Sequence, residues 1–150
     1  MPDTLIVLRH AKSDWPDDVE DFERPLAGRG RRDAPAAGRW LAEHAGEIDL
    51  VVCSPAKRAR QTWKRVAGEL PSAPKARFEP RLYGEGVAAL LDVLADLPED
   101  AGTVLFVGHN PDLSELVERL SGTGCELRTS SIAVIDLGTK TLRATATPRG

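Results

Sequence analysis

Leu5-Ile6-Val7-Leu8-Arg9-His10-Ala11-Lys12-Ser13-Asp14-Trp15 opens on four unbroken apolar residues and turns at once to charged and polar ones. An uninterrupted run of β-formers suits a strand buried on both faces, as parallel sheets covered by helices require. The form recurs twice. Leu50 to Cys53 leads into Ser54-Pro55, and Val104 to Val107 leads into Gly108-His109-Asn110-Pro111. Between the runs the apolar spacing becomes helical: Ala34, Ala37, Leu41 and Ala45 share one face, as do Val87, Leu90, Leu91 and Leu94, and then Leu113, Leu116, Val117 and Leu120. Alternating strands and helices predict an α/β fold. Ile132 to Leu137, Gly138-Thr139 and Thr141 to Ala146 read as a closing hairpin that makes the sheet mixed.

Asp14 to Arg24 and Pro71 to Pro80 read as loops, and Pro35 is expected either to delay or to kink the first helix. At 150 residues, 41% hydrophobic and 29% charged, the chain fits one globular domain spanning 1–150. A net charge of -3 argues against a nucleic-acid binder, and the lack of a long apolar stretch or signal peptide argues against a membrane address, so the cytoplasm is expected. Cys53 and Cys125 have no metal spacing and are expected to be reduced.

The chemistry follows the apolar runs. Arg9-His10, Ser54-Pro55 with Arg58, and His109-Asn110 are all expected at carboxyl ends of strands, the edge where open α/β sheets bind ligands. Ser54-Pro55 and Asn110-Pro111 have the form of an N-cap followed by proline at the first helical position, so two helix starts are expected to face the same crevice. Helix starts beside two arginines favour a dianionic phosphate. With two histidines and no carboxylate-rich metal cage, the site reads as covalent catalysis by imidazole without metal or cofactor. His10 is the expected nucleophile, neutral at physiological pH. His109 is expected to stabilise phosphoryl oxygens with Arg9 and Arg58.

Leu8-Arg9-His10-Ala11, Ser54-Pro55 through Arg58 to Gln61-Thr62, and Gly108-His109-Asn110-Pro111 resemble the three signatures of the histidine phosphatase superfamily. Arg9 to Trp15, the Arg24-Pro25-Leu26 to Arg29-Gly30 stretch and the short chain are similar to its SixA-type phosphohistidine phosphatases, and the likeness covers nearly the whole chain. The resemblance implies a phosphoglycerate-mutase-like, three-layer α/β/α sandwich with a mostly parallel central sheet. It implies a transient phosphohistidine on His10, with Arg9, Arg58 and His109 as the other motif residues. It also implies a phosphorylated protein of the histidine phosphotransfer type as a substrate candidate.

Two departures matter. Ala11 stands where the wider superfamily has glycine, as is common in the SixA-type branch. The glutamate that larger members use as proton donor is out of register in Arg81-Leu82-Tyr83-Gly84-Glu85. An alkoxide leaving group needs such an acid, whereas phosphohistidine protonated on its ring departs as neutral imidazole. A missing acid therefore suits a P–N bond. Glu85 or Tyr83 as a replacement donor would instead fit a general phosphomonoesterase acting on small phosphorylated molecules. A non-catalytic phosphoprotein-binding module is the remaining rival, and it would have no need of His10.

Ser13, Ser54 and Asn110 are candidate substrate contacts, with helix capping as the other reading of Ser54. His44 reads as an ordinary residue of a charged helix. Arg24 and Arg29 fit the pocket border and loop ion pairs equally well. Trp15, Trp40 and Trp63 read as packing residues. The acidic loop from Asp14 to Glu23 reads as solvated surface, with recognition of a basic protein face as its functional version.

Overall fold

The computed structural model describes residues 1–150. Its six strands are β1 (Thr4–Arg9), β2 (Leu50–Cys53), β3 (Ala76–Phe78), β4 (Thr103–Gly108), β5 (Ile132–Asp136) and β6 (Thr141–Ala146). Its helices are α1 (Gly28–His44), α2 (Lys57–Ala67), α3 (Val87–Ala95) and α4 (Asp112–Ser121). All strands share one sheet in the order β3-β2-β4-β1-β5-β6. The β3-β2, β2-β4 and β4-β1 pairs are parallel, and β5 and β6 close the sheet antiparallel.

Strand side chains alternate between faces, so each unbroken apolar run feeds two cores. Leu5, Val7, Val52, Val104 and Phe106 pack with Leu90, Val93 and Leu94 of α3 and Leu113, Leu116 and Val117 of α4. Ile6, Leu8, Val51, Cys53, Leu105 and Val107 pack instead with Ala37 and Leu41 of α1 and Ala59, Trp63 and Val66 of α2. The result is a three-layer α/β/α sandwich of the phosphoglycerate-mutase-like kind. Each fully buried Leu, Ile or Val contributes roughly 1.5–3 kcal/mol, which adds to the β-propensity of these short strands. Gly38 permits the close α1–α2 contact, since a Cβ there would meet the Val66 carbonyl oxygen at 2.7 Å.

Several expectations change. Pro35 lies inside α1, which begins well before it at Gly28. The carbonyl that the proline leaves unpartnered belongs to Arg31, an exposed residue open to water. The Pro71 to Pro80 stretch is not all loop, because Ala76–Phe78 adds an edge strand beside β2. The two Ser/Asn-Pro pairs precede their helices rather than open them: α2 starts at Lys57 and α4 at Asp112. Both cysteines are free thiols. No helix is long and apolar enough to cross a membrane.

Candidate active site

β2, β4 and β1 lie side by side with level ends, since Arg9 pairs with Gly108 and Cys53 with Val107. Residues next along each chain emerge together. The ladder continues past the strands: the His10 N–H donates to the Gly108 carbonyl at 3.0 Å, and the Ser54 N–H to that of Val107 at 2.9 Å. The His10 and His109 ring centroids are 5.1 Å apart. From the first turn of α2, the Arg58 Nε–H approaches His10 Nε2 at 3.4 Å. Thr62 ties this helix to β1's exit by accepting the Ala11 N–H at 3.0 Å and donating to the Arg58 carbonyl at 2.8 Å. Arg9, His10, Arg58 and His109 thus line one cavity of about 230 Å³ with Lys12, Ser13, Trp15, Arg24, Asn110 and Thr129. No carboxylate lines it. Nowhere do three or more His, Cys, Asp or Glu side chains gather as a metal cage would need.

His10 Nδ1 lies 2.7 Å from the Ala11 carbonyl, an acceptor, so Nδ1 carries the proton and donates it. Nε2 of the neutral ring is then bare. Burial first, then the neighbouring His109, Arg58 and Arg9, push the His10 pKa down to about 3. His109 falls to about 4, by burial first and then Arg58. Its Nε2 meets Ser54 Oγ at 2.7 Å, and its buried Nδ1 has no partner. Arg9 donates from Nη1 to the Leu127 carbonyl at 3.0 Å, and burial lowers its pKa. Arg9 Nε is buried without an acceptor. The Ser54 hydroxyl, which already accepts from Ala56, has His109 Nε2 as the acceptor for its own proton, so Nδ1–H is left as an unpartnered donor that with Arg9 Nε suits an incoming oxyanion.

The other sequence candidates divide. Ser54 is fully buried and does not reach the cavity; its hydroxyl accepts the Ala56 N–H at 3.2 Å and meets His109, so it orients that ring. Ser13 lines the cavity, where its Oγ accepts from Arg24 Nη2. Asn110 also lines it, but its amide is occupied: Nδ2 donates to the Leu127 carbonyl, and Oδ1 accepts from the Ser114 N–H and hydroxyl. The helix starts contribute less than expected, because the Leu113 N–H is also spent, on the His109 carbonyl. Side chains supply most of the positive charge.

Sequence reasoning left the rim open, and the structure gives Arg24 both of its expected readings. Residues 13–27 fold back over the sheet edge through a Ser13–Leu26 bridge and an Asp14 N–H to Pro25 carbonyl bond. Gly30 lets α1 approach Lys12 closely, where a Cβ would strike its carbonyl. Arg24 is thereby buried in the cavity wall, both lining the pocket and pairing with Asp21 at 2.9 Å. Arg29 pairs with Asp33 instead. Trp15 is 75% exposed, so it is not a packing residue, and the Arg24 guanidinium lies 3.3 Å from its ring centroid. Asp21 is half exposed in the acidic stretch but is tied into the rim: it accepts from Arg58 Nη2 at 3.0 Å and from the Tyr83 hydroxyl at 2.6 Å. These bonds, Tyr83's first, hold its carboxyl well below the usual range. Glu85 is exposed and does not line the cavity. The Thr129 backbone region was missed. Ser130, at φ +62°, donates its N–H to the carbonyls of Arg9 and His10, both at 3.1 Å, and so fixes the strand exit.

Fold and cavity together define an α/β protein whose sheet edge gathers two histidines and three arginines around one pocket. The family model of the histidine phosphatase superfamily (branch 1) matches residues 5–86. A Mycobacterium tuberculosis protein of uncharacterised function is 38% identical over 139 residues, covering 85% of each chain. The phosphohistidine phosphatase SixA of Escherichia coli K12 is 31% identical over 139 residues, covering 89% of this chain and 84% of its own. A structure of the protein histidine phosphatase SixA complexed with tungstate superposes with a TM-score of 0.81 at 28% identity, covering 97% of both chains. The chain belongs to the histidine phosphatase superfamily, is SixA-like within it, and is a phosphatase.

Proposed function

We propose that this phosphatase removes the phosphoryl group from phosphohistidine in a protein, by way of a transient phosphohistidine on its own His10. The supporting observation is the buried His10 ring, whose Nδ1 proton is committed to Ala11 while its bare Nε2 lies 3.4 Å from an arginine. In-line attack by the Nε2 lone pair forms an N–P bond as the substrate's P–N bond breaks. Arg9, Arg58 and the unpartnered Nδ1 of His109 hold the phosphoryl oxygens as charge develops on them. Water then attacks phosphorus, the bond pair returns to His10, and inorganic phosphate leaves. Both steps run without metal.

Preference for P–N over P–O follows from the lack of a ready acid. Glu85 is exposed and does not line the cavity, and the Tyr83 hydroxyl is engaged as a hydrogen-bond donor to Asp21, a contact that raises its pKa. Tungstate, which a SixA structure holds, is an oxyanion, and this supports the cavity as the phosphoryl site. A phosphotransfer protein of the cytoplasm is the substrate class that fits.

The test is a substrate profile with chelator present: a phosphohistidine protein, phosphoramidate, aryl phosphates and sugar phosphates. The reading expects the first two to turn over fastest, with no loss to chelator. Faster turnover of sugar phosphates would replace it with a general phosphomonoesterase, and stable binding without phosphate release would replace it with a binding module.

A further inference from the structure

A pocket built to bind an anion keeps a carboxylate bonded to two of its own cations. Asp21 accepts from Arg24 Nη1 at 2.9 Å through Oδ1, and from Arg58 Nη2 at 3.0 Å and the Tyr83 hydroxyl through Oδ2. Arg58 Nη1 adds a bond to the Asp21 backbone carbonyl at 2.6 Å. Such a carboxylate opposes a phosphate on the same arginines, so holding it there weakens ground-state anion binding. Its side chain is 50% exposed, while His10 on the pocket floor is 7% exposed. In-line attack points the breaking bond away from His10 Nε2, and Asp21 is bonded to the far end of the Arg58 guanidinium whose Nε lies 3.4 Å from that nitrogen. An ionised carboxylate has about four acceptor sites, and Oδ1 uses one of them.

We propose that Asp21 is a specificity-determining residue that selects phosphoryl donors whose leaving group is a cationic N–H donor, such as the protonated ring of phosphohistidine, over esters of alcohols. The inference rests on the function proposed above and deepens it. In the reacting substrate one ring nitrogen bears phosphorus and the other bears a proton, which Asp21 accepts as a hydrogen bond. Attack by His10 breaks the P–N bond, its electron pair stays on that ring nitrogen, and the ring departs as neutral imidazole with the proton it already carried. No acid is consumed. Asp21 keeps the ring in this protonated form, so its contribution falls on KM more than on kcat. An ionised Asp21 cannot protonate an alkoxide, and its charge gives a neutral alcohol nothing in return for occupying the arginines.

The experiment compares kcat/KM for a phosphohistidine protein, phosphoramidate and p-nitrophenyl phosphate in the wild type, Asp21→Asn and Asp21→Glu. The asparagine variant is expected to lose about tenfold on both P–N substrates through KM, the scale of one charge-assisted hydrogen bond. It should gain a few-fold on the aryl ester as Arg24 and Arg58 are released, and Asp21→Glu should restore the wild-type order. A parallel fall on all three substrates would overturn the proposal and leave Asp21 as a support for Arg58. If the wild type prefers P–N bonds and the asparagine variant keeps that ratio, the inference fails alone. A wild type that prefers the aryl ester would overturn both the inference and the proposed function.

Discussion

The floor and the rim of the cavity are built from different materials. The floor hangs on the sheet: Arg9, His10 and His109 stand at strand ends in register, Ser54 supports the His109 ring, and backbone ladder bonds continue past the strands. The rim hangs on side chains: Trp15, Asp21 and Arg24 sit on a folded-back segment held by one isolated bridge, a guanidinium stack and ion pairs. A ladder fixes atoms tightly and suits bond making, whereas a surface segment of ion pairs yields more readily and suits choosing among substrates. Chemistry should therefore fail when the floor is altered, and selectivity should shift when the rim is.

His10→Ala is expected to give the largest effect, a loss of at least about 10⁴-fold in kcat in a steady-state phosphoramidate assay, as for other covalent nucleophiles. Arg58→Ala should cost about 10²–10³-fold, mostly in kcat, because it removes charge stabilisation beside the bare imidazole nitrogen. Ser54→Ala leaves the pocket wall intact but frees the His109 ring, so about a tenfold loss in kcat with little change in KM is expected. A KM effect of the same size would mean that Ser54 touches substrate after all.

The floor should also leave a mark on stability. His10 and His109 titrate near 3 and 4 in the folded chain but near 6.5 when unfolded. Below pH 6.5 the unfolded chain takes up protons that the folded site refuses, so stability is fully present above that value and declines as the pH falls. Denaturant melts should show a slope that is half-developed at pH 6.5 and approaches roughly 1 kcal/mol per pH unit for each histidine toward pH 5, and His109→Gln should halve it. Trp15→Ala, at the rim, should have the smallest effect. A two- to fivefold rise in KM for a phosphohistidine protein, with phosphoramidate little changed, would mark it as a contact for the larger substrate.

The same contrast explains what the sequence made legible. Floor residues follow runs such as Leu5–Leu8 and Val104–Val107, whose apolarity announces both the strand and its end. Rim residues carry no such signal: Asp21 meets Arg58 across a fold-back that charge composition does not encode, although a loop ion pair was among the readings for Arg24. Backbone contributions were equally silent. The Leu127 carbonyl, which anchors both Arg9 and Asn110, and the left-handed Ser130 belong to a loop with no motif. β3 escaped because a three-residue edge strand with two exposed positions needs no apolar run. Helix starts were placed early because Ser-Pro and Asn-Pro suit the turn before a helix as well as its first residue.

The most direct test traps the phosphoryl group during turnover. Wild-type protein mixed with phosphoramidate and chelator, quenched rapidly in alkali and analysed by peptide mass spectrometry, should carry one phosphoryl group on His10, and His10→Ala should carry none and release no phosphate. Undiminished phosphate release by His10→Ala, or a label on any other residue, would contradict the account.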